Sequence, residues 1–287
     1  MIKWIILVGV ILAICLIEWI REINTFRVTN YTISSEKLNG INEKRIVFLS
    51  DLHNQEYGCN NLKLLQKIKE QNPSLILVGG DMIIGKKNVS THVAEAFVIE
   101  LTKIAPVYYA NGNHEFRMKV YKEIYEEKYK EYKEKLEQYG VIFLENDYVE
   151  LELDDKKIEI YGLEIPKETY KKFTKVTFTL HQMEELLAKS EDDHYRILLA
   201  HNPLSMDTYE EWGADLILSG HLHGGVVRLP GIGGVISPQF KLFPKYSGEL
   251  TVKDNCSIVV SKGLGTHTIP IRFLNPAEVV VLSINGK

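Results

Sequence analysis

Arg45-Ile46-Val47-Phe48-Leu49-Ser50-Asp51-Leu52-His53 is the stretch that decides the fold. Its apolar run is too short for a helix and is apolar on both faces, so it reads as a strand buried on both sides. That strand delivers Asp51 and His53 to its carboxyl end. The pattern repeats downstream. Leu75-Ile76-Leu77-Val78 leads into Gly79-Gly80-Asp81, and Pro106-Val107-Tyr108-Tyr109-Ala110 leads into Asn111-Gly112-Asn113-His114-Glu115. Between these runs the spacing turns helical. Leu62, Leu65 and Ile68 recur over 61–70 before Pro73, and Val93, Ala96, Phe97, Leu101 and Ile104 recur over 92–104. Strand alternating with helix predicts a parallel α/β sheet, with its polar residues gathered along the carboxyl edge where such sheets bind ligands.

The rest of the chain extends the pattern. Residues 117–139 read as one long Lys/Glu/Tyr helix. Its charges form a solvated face with pairs such as Glu126 with Lys130, and Tyr121, Tyr125, Tyr129 and Tyr132 cover a core. Alternation over 148–153 and 157–161, joined by Asp154-Asp155, predicts a hairpin. A helix is expected over 179–189. The strand 196–200 delivers His201. Leu216-Ile217-Leu218 delivers Ser219-Gly220-His221-Leu222-His223-Gly224-Gly225. Short strands over 257–260 and 279–284 finish the chain. Two imidazoles one residue apart in a glycine-rich turn have the layout of metal ligands. Five clusters of Asp, His and Asn at five strand ends describe a site for two metals. Such side chains are oxygen and nitrogen ligands for Zn, Fe, Mn or similar ions. Two ions ~3.5–4 Å apart share a carboxylate readily, generate hydroxide near neutral pH and clamp an in-line phosphoryl displacement. Gly79-Gly80 and Gly224-Gly225 let the backbone turn sharply and approach metal or phosphate.

At Asp51-x-His53, Gly80-Asp81, Gly112-Asn113-His114-Glu115, His201 and Gly220-His221-x-His223 the chain resembles the calcineurin-like metallophosphoesterase family. The resemblance covers about residues 44–283, with every motif in order. It implies two packed mixed β-sheets flanked by helices, a four-layer α/β sandwich. It implies that Asp51, His53 and His223 hold one metal, that Asn113, His201 and His221 hold the other, and that Asp81 bridges both. His114 matches the family's catalytic histidine, which protonates the leaving oxygen or stabilises transition-state charge. Glu115 is expected to support the loop through hydrogen bonds. The cofactors implied are two divalent ions, and the activity is attack of a metal-bridging hydroxide on a phosphate ester. Monoester, diester and pyrophosphate substrates all stay open.

Within the family the chain is similar to the membrane-associated, YkuE-like branch. That likeness rests on its N-terminal apolar segment and on Ser261-Lys262-Gly263-Leu264-Gly265 followed by Pro270-Ile271-Arg272. The run Ile2–Ile20 is apolar except for Lys3 and Glu18, and it reaches the roughly 20 residues that a spanning helix needs. Trp4 and Trp19 sit where interfacial aromatics belong. A cleaved signal peptide is the rival reading, but no small-x-small site follows the run. Lys3 precedes the span while Arg21, Arg27 and Lys37 follow it, which leaves the side of the membrane open. The expected organisation is a transmembrane anchor over 1–21, a connector over 22–43 and a phosphoesterase domain over 44–287. A site held close to a bilayer suggests a lipid-linked phosphate as substrate.

The 287 residues, 45% hydrophobic and 25% charged, are ordinary for a globular chain. A net charge of −4 and the lack of a dense basic block argue against nucleic acid as a partner, and with it against a nuclease. Cys15, Cys59 and Cys256 form neither a disulfide framework nor a thiolate metal site. His92, His181 and His194 read as surface residues. His267 is weighed as a pocket residue without ligand spacing, and 226–246 as a rim near the site. The rival of another class is a catalytically silent phosphoesterase fold acting as a membrane-tethered interaction module. Such folds lose ligands, and this chain keeps them all.

Overall fold

The computed structural model describes residues 1–170, 177–188, 194–225, 227–229, 231–236, 242–266 and 270–287. Helix α1 (Ile2–Asn24) comes first. Strands β1 (Phe26–Ser35), β2 (Lys44–Leu49), β3 (Leu75–Val78), β4 (Val107–Ala110) and β5 (Ile142–Leu144) follow. Between and after them lie helices α2 (Leu62–Lys69), α3 (His92–Thr102), α4 (Asn113–Val120), α5 (Lys122–Tyr125) and α6 (Lys128–Gln138). The second half contains strands β6 (Asp147–Leu153), β7 (Lys156–Leu163), β8 (Tyr195–Ala200) and β9 (Leu216–Ser219). It continues with β10 (Arg228–Leu229), β11 (Gly233–Gly234), β12 (Leu250–Lys253), β13 (Cys256–Val260) and β14 (Ala277–Gly286). Its helices are α7 (Leu180–Leu186) and α8 (Met206–Trp212).

Two six-stranded mixed sheets form, in the orders β1-β14-β2-β3-β4-β5 and β12-β13-β9-β8-β7-β6. β2 to β5 run parallel, as do β7, β8, β9 and β13. Strand parity assigns the layers. Ile46, Phe48, Leu75 and Leu77 face Ile160, Ile197, Leu199 and Leu218 in a core between the sheets. The alternate residues Val47, Leu49, Ile76 and Val78 pack under α2 and α3, and Leu198, Ile217 and Ile258 pack under α7 and α8. Each strand is apolar throughout because each side is covered. The result is the helix–sheet–sheet–helix sandwich that the family resemblance implies.

Several local expectations are corrected. The long helix over 117–139 breaks into α4, α5 and α6, and Glu126 lies at φ +57° between the last two. Glu126 lies 3.5 Å from Lys87, and Lys130 pairs instead with Glu134. The break lets the tyrosines reach separate partners: Tyr125 donates to the Gly85 carbonyl at 2.8 Å, and Tyr132 meets the Tyr109 hydroxyl at 3.0 Å. In the stretch 22–43, whose alternation over 26–29 and 31–33 reads as strand, β1 is one continuous ten-residue strand paired with β14 along its whole length. His92 and His181 are exposed, but His194 is buried and its Nδ1 lies 2.7 Å from Glu159 Oε1. His267 lies outside the described residues, as do Lys189 of the expected 179–189 helix and positions 226, 230 and 237–241 of the expected rim. The described part of that rim contains the β10–β11 hairpin.

Candidate metal centre

The parallel strands carry their following loops to one edge of both sheets. Asp51 and His53 follow β2, Asp81 follows β3, and Asn113 and His114 open α4 after β4. His201 follows β8, and His221 and His223 follow β9. The structure brings all eight into one crevice between the two sheet edges. Five of them adopt left-handed backbone: Asp51 (φ +54°), His53 (+46°), Asp81 (+54°), His221 (+68°) and His223 (+49°). That conformation costs about 1–2 kcal/mol per residue. It persists here because the surrounding fold over-determines it, and the sharp turn it produces aims each side chain back across the strand ends.

Three overlapping groups of side chains in the crevice could each hold an ion: Asp51–His53–His223, Asp81–His201–His221 and, between them, His53–Asp81–His114. His223 Nε2 lies 3.3 Å from Asp51 Oδ1, and His201 Nε2 lies 3.2 Å from Asp81 Oδ2. The groups adjoin, with His53 Nε2 at 3.8 Å from Asp81 Oδ2 and His201 Nε2 at 3.9 Å from Asp51 Oδ1. One terminal atom of the Asn113 amide lies 2.7 Å from His221 Nδ1 and 3.3 Å from Asp81 Oδ2. Backbone amides fix the carboxylates. The His221 amide donates to both Asp51 oxygens at 3.1 Å, and the His114 amide donates to Asp81 Oδ1 at 2.8 Å.

Hydrogen bonds also set the ring tautomers. Nδ1–H of His53 donates to Ile83 O at 3.3 Å, that of His201 to Gly79 O at 2.7 Å, and that of His223 to Gly265 O at 3.2 Å. A neutral ring bonded this way turns its Nε2 lone pair inward, as a metal ligand requires. The Nε2 atoms of His53 and His223 then face each other at 3.2 Å, beside a carboxylate. A cation reconciles that cluster of acceptors. His221 Nδ1 faces the Asn113 amide, while its Nε2 is buried without a hydrogen-bond partner among the described residues. The donor set therefore fits divalent ions. His114 is opposite in kind: its Nδ1 accepts from the Gly85 amide at 2.7 Å, so its proton sits on Nε2, 4.0 Å from Asp81 Oδ2.

The electrostatics follow from burial and from the two carboxylates. Burial holds His53 and His221 well below the usual histidine range, and neighbouring histidines add to the effect. Burial also opposes charge on Asp81, but His201 and His114 outweigh it and hold the carboxyl well below its ordinary value. His201 is correspondingly raised to about 10, because attraction to Asp81 overcomes its burial. Binding of an ion there displaces that proton.

Sequence reasoning missed several supporting residues. Glu115 was expected to brace the loop, and its carboxylate accepts from the amides of Asp81, Met82 and Gly112 and from the Tyr109 hydroxyl. Ser50 and Asn275 carry no motif, and Arg272 enters the sequence reading only as the end of Pro270-Ile271-Arg272, with no role attached. Ser50 donates to Asp51 at 2.5 Å, and Asn275 donates to the His223 carbonyl at 2.6 Å. Tyr170 meets His221 edge-on with ring centroids 5.4 Å apart. Beside Asn113 opens a cleft of 520 Å³ walled by Phe116, Arg117, Tyr121, Lys167 and Tyr170.

The sequence profile of the calcineurin-like phosphoesterases matches residues 44–225, and the chain belongs to that family. It is 28% identical over 276 residues to the uncharacterized metallophosphoesterase YkuE of Bacillus subtilis, across 92% of this chain and 87% of YkuE. It is 26% identical over 224 residues to the phosphodiesterase YaeI of Escherichia coli, across 77% of this chain and 75% of YaeI. Among solved structures it resembles the phosphopantetheinyl hydrolase of Mycobacterium tuberculosis. That match has a TM-score of 0.47 at 14% identity, over 78% of this chain and 91% of the hydrolase.

Proposed function

We propose that this chain is a phosphoester hydrolase with two divalent ions, held at a membrane by α1. The observation that carries the reading is the contrast in tautomers. His53, His201 and His223 each bond a carbonyl through Nδ1 and turn Nε2 to the crevice, that of His201 open to an ion once its proton is displaced, whereas His114 accepts an amide at Nδ1 and turns Nε2–H there. Asp51, His53 and His223 would hold one ion, and Asn113, His201 and His221 the other, with Asp81 shared between them. Ions in such a pair supply a water-derived nucleophile at neutral pH and neutralise charge on the phosphoryl oxygens. His114 donates from Nε2–H to the oxygen on which charge develops, a role typical of preorganised donors in dry sites. Arg117 and Lys167, on the wall of the adjoining cleft, suit a substrate that carries further negative charge. The phosphodiesterase YaeI among the relatives favours a diester, and a site held next to a bilayer favours a lipid-linked one. Helix α1 is long and apolar enough to cross a membrane.

The test uses the full chain in detergent, stripped of metal and reloaded separately with Mn, Zn or Fe. Aryl diester, aryl monoester and nucleotide-sugar pyrophosphate hydrolysis are measured together with metal content. Metal-restored turnover that is lost in Asp81→Asn and His221→Ala supports the reading. A folded, metal-loaded chain that turns over none of these substrates, or turnover that survives both changes, contradicts it.

A further inference from the structure

Helix α1 does more than end where the domain begins. Cys15, Glu18, Trp19, Glu22 and Ile23 are half-buried or buried, a helical stripe over its last turns, while the apolar span before them stands clear of the domain. Two hydrogen bonds fix that stripe. Trp19 Nε1 donates to Pro270 O at 2.7 Å, and the Asn275 amide donates to Glu22 Oε2 at 2.8 Å. The segment from Pro270 to Asn275 therefore lies level with Trp19, where the apolar run of α1 gives out. A bilayer filled by that run has its headgroup boundary at the same level.

That segment is bonded to a layer of loops. The Arg228 amide donates to Phe273 O at 3.1 Å, the Val235 amide to Val227 O at 2.9 Å and the Phe243 amide to Val235 O at 2.9 Å. Six large apolar side chains stand exposed on this layer: Leu229 40%, Ile232 63%, Leu242 62%, Phe243 57%, Ile271 41% and Leu274 42%. Single exposed apolar residues are normal, but a group on one connected layer marks a contact surface. The layer also adjoins the metal centre. Arg228 Nη1 donates to Gly224 O at 3.0 Å, and Asn275 Nδ2 donates to the carbonyl of His223.

We propose that this loop layer is a membrane-contact surface whose partner is the headgroup region of a lipid bilayer. The turn that carries His223 then lies next to the membrane-facing layer. This rests on the reading of α1 as an anchor. The docking of α1 fixes the distance between layer and bilayer, so the contact follows from the fold rather than from a flexible tether. Membrane-seated loops of this kind bury their apolar side chains at the headgroup boundary.

The test uses the full chain with Cys15, Cys59 and Cys256 replaced by Ala and a single cysteine introduced in turn as Ile232→Cys, Ile271→Cys, Leu7→Cys and Ile142→Cys. Each variant carries a nitrobenzoxadiazole label in vesicles of phosphatidylethanolamine and phosphatidylglycerol containing spin-labelled lipid. Ile142 begins β5 at the sheet edge away from the site and serves as the distant control. The proposal expects blue-shifted emission at 232 and 271, with quenching by shallow spin labels severalfold stronger than at 142. Labels at 232 and 271 that match 142 while the label at 7 is deeply quenched overturn the surface and leave the anchor standing. An unquenched label at 7 removes the anchor and the surface with it.

Discussion

The amide of Gly85 donates to Nδ1 of His114 at 2.7 Å, and this one bond separates His114 from His53, His201 and His223, whose Nδ1 atoms meet carbonyls. A nitrogen that accepts cannot also carry the proton, so Nε2–H is the donor that the ring offers. His114→Ala should lower kcat by about 10²–10³-fold, the cost of losing one preorganised donor. Metal content should stay at the wild-type level, because the ring is not needed to hold either ion. Turnover combined with elemental analysis checks this. A variant that loses its metals together with its activity would place His114 among the ligands instead.

Gly220 is demanded by close approach. A Cβ there would lie 2.0 Å from Ser50 Oγ and 2.2 Å from Asp51 Oδ2. Gly220→Ala should therefore push Asp51 away from His223 and destabilise the chain by about 1–3 kcal/mol, the usual range for overpacking. The expected signature is a lower Tm and the loss of about one ion of the pair. Wild-type metal content in a folded Gly220→Ala chain would show that Asp51 can shift without consequence.

Glu145 gives a pH dependence away from the metals. Burial opposes its charge, but Lys133 at 2.6 Å, Tyr129 and Lys119 at 3.1 Å together hold the carboxyl at about 2. A carboxyl depressed in the folded state stabilises above its unfolded value and loses that contribution as pH falls toward the folded one. The window here runs from about 4.5 down to about 2. Glu145→Gln should cost about 1–2 kcal/mol near neutral pH, the shift being discounted for solvent screening of a partly exposed group, and the gap to wild type should shrink below pH ~4. Thermal unfolding of both chains at neutral pH and at low pH reads the difference. A constant gap would assign the effect to packing.

The sequence made the candidate site legible because each candidate ligand stands within a few residues of a strand end, and strands buried on both faces show as short uninterrupted apolar runs. Val47 and Phe48 point to opposite layers, yet both must be apolar, so burial of both faces is written into single strands, while the second sheet on one of those faces is what the family resemblance implies. What stayed hidden depends on distant partners. β1 finds β14 across most of the chain, so alternation over 26–29 and 31–33 shows a strand-containing connector but not its place beside Ala277–Gly286. His194 reads as a surface residue because Glu159, which meets it, lies on another strand. The break at Glu126 has no signal in helix propensity, since Lys and Glu continue on both sides. It arises because Tyr125 and Tyr132 bond to different elements.

Arg272 carries the last prediction. Its side chain is 1% exposed and donates to four carbonyls, those of Asn275 at 3.2 Å, Lys262 at 2.8 Å, Gly263 at 3.1 Å and Gly265 at 2.6 Å. The Gly265 carbonyl is also the acceptor that fixes the ring of His223, so Arg272 orients a candidate ligand at one remove. Arg272→Lys keeps the charge but loses the planar fork that serves several acceptors at once. Partners that orient metal-bound histidines typically contribute 10–100-fold to affinity, and a loss of about that size is expected here. Competition with a chelator of known strength measures it, with circular dichroism to establish that the chain is folded. Arg272→Met would strand several buried carbonyls at about 1–3 kcal/mol each and should fail to fold stably. If Arg272→Lys folds and retains both ions as tightly as wild type, then the His223 ring is held by its own turn and not by Arg272.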